Sequence, residues 1–154
     1  MKINRRGFSM IELLVAFIVF SILASLAILR YMDFKRTATA ARVASDFNVV
    51  KVATYTYWSD NATWPSEVGP GVPPPELVNV LPTNFSFVKP TYTLDYEYFP
   101  VPGSGPNTFI VGVTVTSTDA VFMTKLEQIL GRTSPFMAVG GSLTYIIVGA
   151  DGAI

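Results

Sequence analysis

Between Phe8 and Leu29 run 22 residues carrying one formal charge, Glu12. As a helix this run is about 33 Å long, enough to cross the hydrocarbon core of a bilayer. A basic patch, Lys2, Arg5 and Arg6, precedes it. Inside such a span a carboxylate is the odd feature. At the bilayer centre an acid costs roughly 2.5–3.5 kcal/mol, so Glu12 calls for a partner.

The string Arg5-Arg6-Gly7-Phe8-Ser9-Met10-Ile11-Glu12-Leu13-Leu14 has a basic leader, a Gly-Phe junction, two intervening residues and Ile-Glu, and it opens the apolar run. It resembles the class III signal of type IV prepilins and of type II secretion pseudopilins, over roughly the first 60 residues. The resemblance implies a membrane peptidase that cuts between Gly7 and Phe8, N-methylation of the new terminus at Phe8, and use of Glu12 in filament assembly. It implies a set of partners: the prepilin peptidase/methyltransferase, an inner-membrane assembly platform, membrane lipid before assembly, and sister copies in a helical filament as a homo-oligomer. It also implies a location, the bacterial inner membrane for the precursor and then an extracellular pilus or a periplasmic pseudopilus.

The residues support this chemistry on their own terms. Glu12 lies four residues, about 6 Å of helix rise, beyond Phe8. An ammonium freed on Phe8 can therefore meet the Glu12 carboxylate of a neighbour offset along a filament axis. In apolar surroundings such a pair is compensated and a lone carboxylate is not. The plainer alternative is that Glu12 stays wet near the interface, or protonated.

Charge and composition narrow the function classes. The chain has 11 basic and 11 acidic residues, and loss of residues 1–7 leaves 8 against 11. A net charge of −3 is no footprint for nucleic acid. With no cysteine and no histidine, thiol and zinc sites and histidine-based triads are unavailable. No catalytic residue, metal site or cofactor is expected. The lack of cysteine also removes the C-terminal disulfide loop found in many type IV pilins.

Two rival readings of the N-terminus are an exported soluble domain and an ordinary anchor. Arg5-Arg6-Gly7-Phe8 also resembles a twin-arginine signal, and Ser25-Leu26-Ala27 offers a small-residue cleavage site before Ile28. An uncleaved anchor would hold an unrelated binding domain, with Lys2, Arg5 and Arg6 mirrored by Arg30, Lys35 and Arg36. Against both, an acid within a removable apolar core is unusual, and the helical pattern runs on without a break.

The expected domains are a leader (1–7), a transmembrane assembly half of a long helix (8–29), its amphipathic half (30–60), and a β-rich head (61–154). No Gly or Pro occurs between Phe8 and Trp64, so nothing interrupts the helix. Ala40, Val43, Phe47, Val50, Thr54 and Tyr57 recur at helical spacing and form a stripe for packing on a sheet. Lys35, Thr39, Arg42 and Asp46 form a polar stripe beside it, with Arg42 and Asp46 spaced for an i,i+4 ion pair. Leu29 stands where pilins commonly place a helix-breaking proline. A Pro-rich loop fills 61–91, and its apolar residues Leu77, Val80, Leu81, Phe85 and Phe87 mark it as packed against the head.

Residues 92–154 read as a sheet with an inserted helix. Tyr92, Leu94, Tyr96 and Tyr98 alternate with Thr93, Asp95 and Glu97, the period of a half-buried strand. These tyrosines are read as a sheet face in the core, not as a stacking surface for sugars or bases. A loop over 100–107 leads to a second strand, Phe109–Thr116. A short helix over 118–130, capped by Ser117 or Thr118, ends at Gly131. Phe136–Val139 and Leu143–Val148 then form a hairpin about Gly140-Gly141. The acids Asp95, Glu97, Asp119 and Asp151 do not have calcium-loop spacing, and Asp151-Gly152 reads as a turn.

The fold class is therefore α+β and pilin-like: a long N-terminal helix packed against a small antiparallel sheet with an extra short helix. The expected function is a structural, non-enzymatic subunit of a type IV pilus-like filament, with a type II secretion pseudopilin as the alternative. Burial of the apolar run against neighbouring helices supplies the energy, and Glu12 sets the offset.

Overall fold

A computed structural model of the chain describes residues 8–100, 109–131 and 134–149. In order, the elements are α1 (Met10–Asn61), a 3-10 turn (Pro75–Leu77), β1 (Thr93–Pro100), β2 (Phe109–Thr116), α2 (Ala120–Leu130), β3 (Phe136–Val139) and β4 (Ser142–Val148). Residues 1–35 form one unit and residues 36–154 a second. The architecture is α+β and pilin-like. The leader with Gly7, the loop 101–107 and the Asp151-Gly152 turn lie outside the described residues.

In the first unit the helix is bare. An 18-residue window of α1 has mean hydropathy 2.6, and none of it is buried. Its serines do not disturb that apolar surface. Ser21 Oγ donates to Phe17 O and Ser25 Oγ to Ser21 O, each at 2.8 Å, so both hydroxyls are satisfied within the helix.

The second unit holds the core. From α1 come Ala40, Val43, Phe47, Val50 and Ala53; from the sheet, Leu94 and Tyr96 on β1, Val111, Val113 and Val115 on β2, and Leu143, Tyr145 and Ile147 on β4. The expected stripe is the one that packs. Phe47 stacks on Tyr145 with ring centroids 5.2 Å apart, and Tyr55 OH donates to Ile147 O at 3.1 Å. Tyr57 is half-buried at the margin.

The four strands are antiparallel in the order β1-β2-β4-β3. The β3–β4 hairpin turns on Gly140, whose φ of +60° suits glycine. On β2, Gly112 sits at a register shift against β4, where a Cβ would stand 2.9 Å from Tyr145 O. Away from the core, Thr114 pairs with Thr144 at 2.8 Å and Thr116 with Ser142 at 3.0 Å.

The Pro-rich segment closes the open side of β1, where unpaired backbone groups invite association. Gly71 N donates to Leu94 O and Leu94 N donates to Phe87 O, both at 2.8 Å. Further along, Tyr98 N donates to Glu67 Oε2 at 3.4 Å. Leu77, Leu81 and Phe87 enter the core, so the loop is packed as expected.

Two local expectations are corrected. Neither Ser117 nor Thr118 caps α2. Asp119 does, its Oδ1 accepting from Val121 N and Phe122 N at 3.1 Å each. Asp119 Oδ2 also receives Arg36 Nε from α1 at 2.8 Å, while Ser117 Oγ donates to Thr91 O. A carboxylate can serve a helix start and a distant guanidinium at once, and a hydroxyl cannot supply that charge. Asp46 forms no salt bridge with Arg42. It is buried and accepts from Tyr92 OH at 2.6 Å, a partner that spacing along one helix does not reveal.

Candidate assembly site at the start of the long helix

Helix α1 begins with a reciprocal cap. Ser9 Oγ accepts from Ile11 N at 3.4 Å, and Glu12 Oε2 reaches back to accept from Ser9 N at 3.0 Å. Leu13 N donates to Ser9 O at 3.2 Å and closes the first turn. Ser-x-x-Glu is a capping box, which satisfies backbone donors that a helix start otherwise leaves open. An anion in the first turn is also favoured by the helix dipole. The cap draws on Oε2; among the described residues, no bond is made by Oε1.

Of the expected site residues, Phe8 and Glu12 lie among the described residues. Phe8 is 80% exposed and joins directly to Ser9, whose N–H the Glu12 carboxylate holds. The chain thus gathers the candidate methylation position and the candidate assembly carboxylate at one helix tip. Ser9 was not singled out from the sequence, although the Ser-x-x-Glu spacing before an apolar run is itself a signature of a helix start.

Below the tip, Met10, Leu13, Leu14, Phe17, Ile18 and Ile22 line a shallow apolar groove of about 550 Å³. Such a surface suits side-by-side helix packing, and its one polar lining residue, Ser21, already spends its hydroxyl on Phe17 O. Among the described residues there is no group of three or more acidic side chains arranged to hold a metal ion.

Comparison with known proteins gives one family match. The prokaryotic N-terminal methylation motif matches residues 2–28, and it is the prepilin signal of type IV pilins and pseudopilins. No curated protein and no solved structure matches the chain.

Proposed function

We propose that this chain, which bears a prepilin signal on a pilin-like fold, is a structural subunit of a type IV pilus-like filament. In this reading it enters the inner membrane as a precursor, is cut after Gly7, is N-methylated at Phe8, and polymerises through the apolar half of α1. The observation that carries the reading is the 22-residue apolar run with one carboxylate, matched by the methylation motif over residues 2–28. A type II secretion pseudopilin is the second reading, supported by the absence of any cysteine to close a C-terminal loop.

The driving force differs from that of folding in water. Lipid tails are as apolar as leucine, so moving α1 from bilayer to filament gains van der Waals packing with little hydrophobic gain. Satisfaction of Glu12 then becomes decisive. Within one chain its carboxylate has the Ser9 N–H; a sister chain's Phe8 ammonium adds a full opposite charge at an apolar interface. Contacts of this head-to-tail kind do not close, and so they build fibres.

N-terminal mass spectrometry of the native protein tests the reading. The expected first residue is N-methylated Phe8. An intact Met1 marks an ordinary anchor, and a start at Ile28 marks an exported domain; either result refutes the proposal.

A further inference from the structure

The end of α1 carries a second feature that filament packing of its start does not use. Trp58 and Trp64 stack with centroids 5.4 Å apart, Trp64 leans on Phe109 at 6.1 Å, and Phe109 on Tyr98 at 5.4 Å. These four rings, with Ala62 and Glu67, border a cleft of about 660 Å³. Trp58 remains 44% exposed, so the aromatic wall is open to solvent.

The electrostatics of the cleft have one sign. It sits at the C-terminal end of a 52-residue helix, where the dipole places negative partial charge. Helices commonly put Lys or Arg there; the last turn of α1 has none and instead carries Asp60. Among the described residues no lysine or arginine lines the cleft, while the Glu67 carboxylate does. Glu67 also reaches β1 directly, its Oε2 accepting from Tyr98 N at 3.4 Å. The backbone is strained at the same point. Ala62 takes φ +54°, a left-handed conformation where glycine or asparagine is usual. Strain of that kind gathers at ligand sites.

We infer that the cleft of Trp58, Trp64, Tyr98 and Phe109, with Glu67 at its rim, binds an organic cation: an ammonium or guanidinium group on an apolar stem. Aromatic faces attract such cations through the ring quadrupole, and the carboxylate and helix end add direct attraction. A neutral ligand of the same shape would gain only the apolar contact. The site lies outside the apolar run of residues 8–29, so it stands or falls separately from filament assembly.

The chain's two tryptophans both lie in this cleft, so intrinsic tryptophan fluorescence reports on it alone. The experiment titrates the full-length chain, in neutral detergent at constant ionic strength, with tetramethylammonium, choline, N-acetyl-lysine methylamide and N-acetyl-arginine methylamide. The uncharged choline isostere 3,3-dimethylbutanol is the control. The expected result is a saturable change for cations in the millimolar range and none for the control. Stronger binding by the amino-acid amides points to a protein side chain as the natural source; stronger binding by choline points to a free quaternary ammonium. Glu67→Gln, with its circular dichroism unchanged, should weaken the cation about fivefold. Trp58→Phe keeps an exposed ring and a second fold control, and should weaken binding less than Trp58→Leu. An equal response to the neutral isostere, no saturation by any cation, or an unaltered affinity in Glu67→Gln overturns the inference.

Discussion

Glu12 caps its helix and, in the proposed filament, also pairs with a neighbour, two roles that substitution can separate. As an anion it can pair with a neighbour's ammonium; as an acceptor it caps its own helix through Ser9 N. Glu12→Gln keeps an acceptor oxygen of the same reach and removes the charge. Glu12→Ala removes both. If charge sets assembly, both variants reach the membrane fraction and neither appears in sheared filaments. Filaments from Glu12→Gln at the wild-type level would assign the role to the cap instead. A second residue-scale effect concerns Asp95, whose Oδ1 is buried without a hydrogen-bond partner. Burial first, then Glu97 and Glu67, pushes its pKa from 3.8 up to about 6. In that interval the folded chain holds a proton that the unfolded chain has released, so stability falls as pH rises from 3.8 to 6. Asp95→Asn should therefore stabilise the head at pH 7 by about 1 kcal/mol, after allowance for solvent screening. The gain should vanish below the ordinary carboxylate pKa. Denaturant titrations at the two pH values measure it, and a gain of equal size at both would rule out the protonation mechanism.

At the scale of elements, the join between α1 and the sheet rests on a few contacts that differ in how far a sequence exposes them. The stripe from Ala40 to Thr54 was legible because helical spacing selects a face without reference to its partner. The β3–β4 hairpin was legible because Gly140-Gly141 between two apolar runs admits few other conformations. Asp46 was not, since the i,i+4 neighbour Arg42 is visible along the chain and Tyr92, 46 residues away, is not. Asp119 was hidden for a related reason. Ser117, Thr118 and Asp119 are all good caps, and only the approach of Arg36 distinguishes the carboxylate. The closure of β1 by the Pro-rich loop likewise depends on backbone bonds that side-chain patterns do not encode. At the helix tip, Gly7-Phe8 and Glu12 stood out in the sequence, whereas the cap to Ser9 shows only when the carboxylate is placed. Tyr92→Phe tests the cost of the Asp46 contact. It leaves a buried carboxylate without its donor, so a loss of about 1.5–3 kcal/mol is expected by denaturant unfolding. The paired change Asp46→Leu with Tyr92→Phe should lose less than Tyr92→Phe alone, because no charge is then stranded.

For the molecule as a whole, the division at Lys35 and Arg36 separates two kinds of stability. Among the described residues every buried apolar residue of the core lies between Ala40 and Val148, and Arg36 of the Arg36–Asp119 pair lies at the start of the same unit. Among the described residues of the segment before it none is buried, and an 18-residue apolar window there is wholly unburied. Its stability must come from lipid or from other copies, and its removal should cost the head nothing. A chain of residues 36–154 is therefore expected to unfold cooperatively, with a midpoint within about 4 °C of the full chain, a shift that corresponds to less than about 1 kcal/mol. It should remain monomeric by analytical ultracentrifugation at concentrations where the mature chain, removed from detergent, associates. Retention of self-association by the truncated chain would move the assembly interface into the head. Loss of cooperative unfolding would show that the apolar segment supports the core, although its apolar window has no buried residue. With both outcomes as expected, polymerisation is a property of residues 8–35 and folding a property of residues 36–154. The head's surface, including the aromatic cleft at the end of α1, is then free to vary with the filament's task without disturbing the machinery of its assembly.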